Sequence, residues 1–278
     1  AGNTMACFAS FGGKGAYIGK VGQDQLGEVF RHDLKSMGVT CSVNASQSGT
    51  GTGRCMILIT PDGERTMNTF LGAATELYPD DIDAALIKES YITYLEGYLF
   101  DQKPAKEAYF RASALANNAG RKVSLTLSDP FCVDRHRDDF RELVEKHVDI
   151  LFANEAEIKS LYQVDSFEDV IPLVKSSCEI AVLTRGAKGA VIVQGDSITE
   201  VKAEAVAKVV DTTGAGDAYA AGFLYGYSEG KTMAECGRLG AIAAAEVISH
   251  IGPRPQVALS SLAPQTEQSV QMAGPSIA

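Results

Sequence analysis

Short apolar runs alternate with amphipathic stretches along the chain between residues 80 and 184. The apolar runs have the length of strands, and the stretches between them carry apolar residues at helical spacing. Strands separated by helices form a mainly parallel sheet that is covered on both faces. The pattern therefore predicts an α/β fold, with helices at 80–88, 104–118, 134–147, 155–162 and 167–176 and strands at 91–95, 123–127, 149–152 and 180–184.

Two further helices are predicted outside this region. The first covers 24–37, with Asp24 as its N-cap and Gly38 after its end. Its apolar stripe consists of Leu26, Val29, Phe30, Leu34 and Met37. The second covers 231–250 and is rich in alanine. Small side chains let another group, such as a ligand, approach the helix closely, and close packing of a neighbouring helix explains the alanines equally well. Residues 1–22 are rich in glycine but contain no Walker A sequence.

Residues 40–72 have a different, β-rich pattern. Strand-like runs at 54–60 and 65–71 flank Pro61-Asp62-Gly63-Glu64, which has the composition of a tight turn. The small, polar residues at 46–53 predict a mobile loop. A β-rich insertion ahead of regular βα units predicts a lid over a nucleotide-binding core.

Polar residues follow five of the predicted strands. Ligands of parallel sheets bind beyond the carboxyl ends of the strands, so these residues predict a binding site at one rim of the sheet. The polar stretches are Glu96-Gly97-Tyr98, Ser128-Asp129-Pro130, Ala153-Asn154-Glu155-Ala156-Glu157, Thr184-Arg185-Gly186-Ala187-Lys188-Gly189 and the segment after Val209-Val210.

The segment 209–223 carries the most specific chemistry of the chain. It predicts a short buried strand at Val209-Val210, a turn of small residues, and a helix. The backbone N–H groups of Gly214-Ala215-Gly216 would lie at the first helical turn, where unpaired donors and the helix dipole favour an anion. Asp217 follows at once, and a carboxylate is expected there if it accepts a proton from a hydroxyl that attacks a phosphoryl group. An ordinary glycine-rich turn followed by a first-turn aspartate is the alternative.

Composition and charge narrow the classes of partner. The 278 residues carry a net charge of −10, which argues against nucleic acid or an anionic membrane as the main partner. The six cysteines are scattered without a C-x-x-C pair, and the four histidines do not have metal-ligand spacing, which argues against a zinc site. Scattered thiols are typical of a reducing compartment, so we expect a cytoplasmic protein. No run of 18 apolar residues predicts a membrane span.

The stretch Asp211-Thr212-Thr213-Gly214-Ala215-Gly216-Asp217, followed by a helix of small residues, resembles the C-terminal signature of the PfkB carbohydrate kinase family, which includes ribokinase and adenosine kinase. Gly2-Asn3 and residues 18–24 resemble the N-terminal signature of the same family. The resemblance implies a ribokinase-like three-layer α/β/α sandwich with a small β-strand lid around 40–72. It also implies one kinase domain over 1–262, with roughly the first fifth of such a domain absent from this sequence, and a tail at 263–278.

The resemblance further implies roles for individual residues. Asp217 is the expected catalytic base, Gly214-Ala215-Gly216 the anion hole, and Arg65 a clamp on the transferring phosphates; a solvated turn arginine is the alternative for Arg65. Asn154-x-x-Glu157 is expected to organise Mg²⁺ through water, which suits a metal that keeps several waters. A helix N-cap followed by first-turn glutamates explains the same residues and is compatible with the metal role.

Nucleotide and acceptor contacts are implied in the same way. The expected ATP-binding residues are Asn154, Glu157, Thr184, Gly186, Lys188, Gly189, Thr212 and Ala244. The expected acceptor-binding residues are Gly2, Asn3, Glu96 and Asp217. A monovalent cation such as K⁺ is expected near the adenine, held by carbonyl groups.

The sequence therefore predicts an ATP-dependent kinase that phosphorylates a primary hydroxyl of a nucleoside or a sugar. Among the family's branches it is most similar to the bacterial adenosine kinase-like one. A sugar kinase of the ribokinase or fructokinase type is one alternative, and a catalytically silent sugar- or nucleotide-binding protein on the same fold is another. The expected partner is a small molecule, and we expect neither nucleic acid nor a membrane as a partner. The sequence leaves open whether the protein forms a homodimer.

Overall fold

The computed structural model describes residues 1–264. Its strands are β1 (Ala16–Val21), β2 (Thr40–Ala45), β3 (Arg54–Ile59), β4 (Arg65–Phe70), β5 (Ile92–Glu96), β6 (Lys122–Thr126), β7 (Ile150–Asn154), β8 (Ile180–Thr184), β9 (Ala190–Gln194) and β10 (Ser197–Val201). Its α-helices are α1 (Gly2–Ser10), α2 (Gln25–Ser36), α3 (Ala84–Glu89), α4 (Lys103–Asn118), α5 (Pro130–Arg135), α6 (Arg137–His147), α7 (Glu155–Tyr162), α8 (Val170–Ser177), α9 (Ala215–Ser228), α10 (Met233–Ile248) and α11 (Leu259–Leu262). Short 3₁₀ segments cover Gly72–Glu76, Pro79–Asp81, Gly97–Asp101 and Gly186–Lys188.

Strands β5 to β10 form one central sheet in which each strand lies beside the next one in the chain. Strands β5 to β8 are parallel, whereas β9 and β10 run antiparallel to their neighbours. This arrangement confirms the predicted mainly parallel sheet, and the bounds of its four parallel strands differ from the predicted ones by at most two residues. The β9–β10 hairpin is an element that the sequence pattern did not predict.

Alternate residues of β7 point to two separate hydrophobic cores, as the period of two in a strand requires. Leu151 and Ala153 belong to the core on the side of α4 to α8, which also contains Phe140 and Leu161. Ile150 and Phe152 belong to the core on the opposite side, together with Phe223 of α9 and residues of α10. Helices thus cover both faces of the sheet, which confirms the three-layer architecture.

Capping residues explain where two predicted helices differ from the observed ones. The predicted helix at 134–147 lies within a region that forms two helices, α5 and α6. Helix α5 starts earlier than predicted because the Asp129 side chain accepts a hydrogen bond from the Phe131 N–H. The predicted helix at 80–88 begins only after Asp83, whose side chain accepts from the two N–H groups of Ala85 and Leu86. Local side-chain acceptors decide such helix starts.

The first 22 residues contain regular structure that their glycine content concealed. Helix α1 packs against α9 through the buried Cys7, and β1 pairs in parallel with β2 as a separate two-stranded sheet. The next helix, α2, begins after Asp24 as predicted. Its predicted apolar stripe is wrong for Leu26 and Val29, which are 48% and 57% exposed, whereas Leu34 is fully buried.

The predicted strands around the Pro61–Glu64 turn form the antiparallel β3–β4 hairpin, which is a two-stranded sheet of its own. The preceding loop, predicted to be mobile, is tied down by hydrogen bonds. The Ser48 and Thr50 hydroxyls donate to Glu76 Oε1 at 2.7 and 2.5 Å, and the Ser46 hydroxyl donates to the same carboxylate. These donors, Ser46 first, lower the pKa of Glu76 below its usual value. The carboxylate therefore stays ionised and keeps the loop attached.

The end of the described chain is attached to its beginning. Leu259 at the start of α11 is fully buried, and its N–H donates to Ser10 Oγ of α1 at 2.9 Å. The predicted domain of 1–262 stays a prediction, and residues 265–278 of the predicted tail lie outside the described residues. Within residues 1–264, no helix is long and apolar enough to cross a bilayer.

Candidate active site

The turn before α9 is built around Gly214. This glycine has φ +81°, and a Cβ atom here would lie 2.7 Å from Pro253 Cβ, so a side chain is excluded on both grounds. Gly216 differs, because a Cβ atom there would have no protein atom within 4 Å. Open space therefore lies beside the first turn of α9 at Gly216, while the Ala215 N–H donates to the Thr212 carbonyl oxygen at 3.3 Å. The predicted anion hole of Gly214-Ala215-Gly216 stays a prediction. The predicted strand at Val209-Val210 is wrong: the segment is irregular and Val209 is 36% exposed.

The buried carboxylate of Asp211 holds this turn in place. Its Oδ1 accepts from the Thr213 N–H and its Oδ2 from the Gly252 N–H, both at 2.9 Å. Burial alone would raise the pKa of Asp211, but the hydrogen bonds from Thr213 and Gly252 lower it instead. The ionised carboxylate therefore connects the anion-binding turn to the loop that follows α10.

Arg65 of the β3–β4 hairpin reaches the same turn. Its Nη1 donates to Thr212 Oγ1 at 2.7 Å, and that hydroxyl in turn donates to the Gly63 carbonyl oxygen at 3.2 Å. The tip of the hairpin is therefore attached beside the first turn of α9. This position places the Arg65 guanidinium at the predicted anion site; its role as a phosphate clamp stays a prediction.

Both carboxylate oxygens of Asp217 accept hydrogen bonds from neighbouring residues of α1. Asn3 Nδ2 donates to Oδ2 and Thr4 Oγ1 donates to Oδ1, each at 3.0 Å. Thr4 is only 2% exposed. Sequence reasoning missed Thr4, although its place directly after Asn3 in the N-terminal signature was the signal that could have pointed to it.

Glu96 lies at the carboxyl end of β5, close to Asp217. Burial raises the pKa of Glu96, and the charge of Asp217 adds to the rise. Helix α1 begins beside this carboxylate at Gly2. The structure therefore brings together the four residues predicted to bind the acceptor, namely Gly2, Asn3, Glu96 and Asp217; their contact with an acceptor stays a prediction.

Asn154 and Glu157 form a reciprocal helix cap at the carboxyl end of β7. Asn154 Oδ1 accepts from the Glu157 N–H, while the carboxylate accepts from the Asn154 N–H at 2.9 Å and from its Nδ2 at 2.7 Å. Burial raises the pKa of Glu157 to about 7, with the charge of Asp129 adding to the effect. The predicted N-cap is thus observed, and the metal role stays a prediction.

The donor set around Glu157 fits a hydrated Mg²⁺. Among residues 1–264 no three His, Cys, Asp or Glu side chains cluster as a metal site, but Mg²⁺ keeps its waters and uses one or two carboxylates together with phosphate oxygens. A nearby cation would favour the charged form that burial of Glu157 disfavours. The residues that would hold it are Asn154 and Glu157.

The predicted ATP loop lies directly beside this cap. Thr184 is the Cα partner of Asn154 in the β7–β8 pair, and the loop continues through the 3₁₀ turn Gly186–Lys188. Gly189 ends this turn with φ +87°, where a Cβ atom would lie 2.0 Å from the Val201 carbonyl oxygen. The loop is held by Arg185, which donates to Glu155 Oε2 at 2.8 Å and stacks over Phe167 at 3.9 Å.

Ala244 of α10 is half-buried and packs against the core that contains Phe223. This position agrees with the alternative of close helix packing. Its predicted contact with the nucleotide, and the predicted monovalent cation nearby, stay predictions.

Tyr98 connects the two groups of predicted site residues. It follows β5, and its pKa is raised first by burial and then by the negative charges of Glu96, Asp217 and Glu157. The acceptor group around Asp217 and the nucleotide group around Glu157 therefore lie along one rim of the sheet. The rim thus combines a helix start suited to an anion, a carboxylate beside it, a nearby arginine, and the helix cap of Asn154 beside the predicted ATP loop. This combination is typical of the α/β phosphotransferases.

Comparison with known proteins identifies the family within that class. The model of the pfkB family of carbohydrate kinases matches residues 1–258, so the chain belongs to this family. An uncharacterized sugar kinase of Archaeoglobus fulgidus is 32% identical over 239 residues, which are 86% of this chain and 93% of that protein. These findings confirm the predicted family and its enzyme class, ATP-dependent phosphotransferases that act on hydroxyl groups.

Two solved structures show how closely the fold is shared. A protein from Rhizobium etli described as a probable sugar kinase is 48% identical with a TM-score of 0.92, over 95% of this chain and 80% of that one. The adenosine kinase from Sinorhizobium meliloti is 46% identical with a TM-score of 0.91, over 95% of this chain and 81% of that one. The ribokinase-like fold predicted from the sequence is thereby confirmed.

Proposed function

We propose that this protein transfers the γ-phosphoryl group of ATP to a primary hydroxyl of a nucleoside, with Asp217 as the general base. The observation that carries the proposal is the position of Asp217 in the first turn of α9, directly after Gly216 and the open space beside it. A base and an anion site in consecutive residues place the attacking hydroxyl and the phosphoryl group side by side.

Each residue of the site then has a chemical task. Asp217 accepts the proton of the acceptor hydroxyl as the oxygen attacks phosphorus. The Gly216 N–H donates to the phosphoryl oxygens on which negative charge develops, and the Ala215 N–H joins it by exchanging its bond to the Thr212 carbonyl oxygen. The Arg65 guanidinium neutralises the same charge. Asn3 and Glu96 bind other hydroxyls of the acceptor. Asn154 and Glu157 would hold hydrated Mg²⁺ through water, and the metal would supply further positive charge at the phosphates.

Glu157→Gln is expected to raise the Mg²⁺ concentration needed for half-maximal rate several-fold. Glutamine still closes the helix cap but lacks the negative charge that favours the hydrated metal. Glu235→Gln is the matched control, because Glu235 closes an equivalent cap with Thr232 on α10. An Mg²⁺ titration at saturating ATP measures the effect. If both variants require the same Mg²⁺ as the parent, Asn154 and Glu157 are only a cap.

The acceptor class is the second part of the proposal. A nucleoside offers a flat base in addition to ribose, so its site needs apolar walls, whereas a free sugar needs a polar partner for each buried hydroxyl. Tyr98 and Phe131 next to the rim are 39% and 73% exposed, and Met67 shares the face of the hairpin that carries Arg65. Met56 and Phe70 lie on the opposite face of the hairpin.

A purine nucleoside is expected to be phosphorylated at its ribose 5′-hydroxyl with a higher kcat/KM than free ribose or fructose. The similarity to the Sinorhizobium meliloti adenosine kinase supports this choice, and the Rhizobium etli protein keeps a sugar kinase as the second candidate. Comparison of kcat/KM for adenosine, ribose and fructose decides between them. A higher value for either free sugar contradicts the nucleoside, and no turnover with any acceptor supports a silent binding protein.

Because all six cysteines are free, we propose the cytoplasm as the location of the protein.

A further inference from the structure

Asp217 is held at both carboxylate oxygens by two consecutive residues of one helix. An ionised carboxylate only accepts hydrogen bonds, so the amide of Asn3 and the hydroxyl of Thr4 are both donors. Donors on the two different oxygens restrict rotation of the carboxylate about its side-chain bonds. Because α1 packs along α9, the two donors have a rigid support.

Burial distinguishes the two donors. Asn3 is half-buried, whereas Thr4 is 2% exposed. The more exposed Asn3 is the residue that can exchange its hydrogen bond for an acceptor hydroxyl, while the Thr4 hydroxyl is committed to Asp217. Tyr94 is another polar neighbour of Thr4. Burial raises the pKa of Tyr94 well above its usual value, and the hydroxyls of Thr4 and Thr126 partly counter the rise.

We propose that Thr4 is a positioning residue for the reaction: its buried hydroxyl donates to Asp217 Oδ1 throughout turnover and orients the carboxylate toward the acceptor hydroxyl. This inference rests on the proposed role of Asp217 as the base. A donor that stays in place preserves the geometry of proton transfer without contributing to acceptor affinity. Loss of the Thr4 hydroxyl should therefore lower kcat and leave KM unchanged.

The test compares Thr4→Val, which keeps the shape and loses the donor, with Thr4→Ser, which keeps the donor. In the full chain, with the best acceptor, Thr4→Val is expected to lower kcat by about tenfold to a hundredfold. KM should stay within a factor of about two, since the Thr4 hydroxyl is committed to Asp217. Thr4→Ser should keep the parent kcat and the parent KM.

Three results would overturn the proposal: an unchanged kcat in Thr4→Val, a rise in KM that accounts for the whole loss of kcat/KM in Thr4→Val, or an equal loss in Thr4→Ser. If Thr4→Val does not fold, Thr4→Cys, with its weak thiol donor, replaces it in the same comparison. Asp217→Asn distinguishes a failure of the proposed base from a failure of the proposed positioning role of Thr4. A nearly active Asp217→Asn contradicts the proposed base itself, whereas an inactive one beside a normal Thr4→Val contradicts the positioning role alone.

Discussion

Asp217→Asn is expected to reduce kcat by about 10²–10⁴-fold while ATP still binds, which is the usual contribution of a positioned general base. Asparagine can keep the hydrogen bond from Thr4, but its amide cannot accept a proton from the attacking hydroxyl. The loss should appear in the phosphoryl-transfer step, so single-turnover rates should fall as much as kcat. The dissociation constant of ATP, measured by calorimetry, should change little because the nucleotide group lies around Asn154 and Thr184.

The matched control is Asp138→Asn. Asp138 occupies the first turn of α6 and is exposed, so this variant makes the same chemical change in the first turn of a helix away from the site. Its kcat should equal that of the parent. Activity of Asp217→Asn within a few-fold of the parent would exclude Asp217 as the base.

Gly216→Val is expected to lose about 3–4 kcal/mol of transition-state stabilisation, the typical effect of losing one preorganised donor of an anion hole. A Cβ atom at Gly216 meets no protein atom within 4 Å, so the side chain occupies only the open space at the first turn of α9. The phosphoryl group would need that space. Turnover should therefore fall about 10²-fold or more, while the melting temperature stays close to that of the parent.

Gly214→Ala provides the contrasting result. Gly214 has φ +81°, and an added Cβ atom would lie 2.8 Å from the Pro253 carbonyl oxygen, so this variant should lower the melting temperature. Gly216→Val should lose activity without stability, and Gly214→Ala should lose both. Normal turnover by a folded Gly216→Val would contradict the anion hole.

Periodicity along the chain was enough to predict the layers of the fold. The strands at 149–152 and 180–184 were recognisable because β7 and β8 are buried on both faces and read as nearly continuous apolar runs. The strands at 91–95 and 123–127 were recognisable as short, mostly apolar runs between helices. Two elements escaped for physical reasons. The glycines of 1–22 conceal α1, whose stability comes from packing on α9. The β9–β10 hairpin follows the glycine-rich ATP loop, whose own turn signals dominated that stretch.

Local sequence patterns also predicted two features that the structure does not show. The small, polar residues 46–53 predicted mobility, but Glu76, which is distant in sequence, fastens Ser48 and Thr50. The stripe of α2 predicted burial of Leu26 and Val29, but no neighbouring element of the described chain covers them. In both cases the outcome depends on which segments meet in space.

By itself, the sequence determined the class of fold through its strand and helix periods, and it predicted a site at the carboxyl ends of the strands. The small residues before Asp217 are a local signal, whereas the metal role of Asn154 and Glu157 is implied by the family resemblance. Only the tertiary structure decided that Thr4 holds Asp217, that Arg65 meets Thr212, and that the charge of Asp217 raises the pKa of Glu96. Hydrogen bonds and charge interactions act over a few ångströms, and more than a hundred residues of chain separate the partners of each of these pairs.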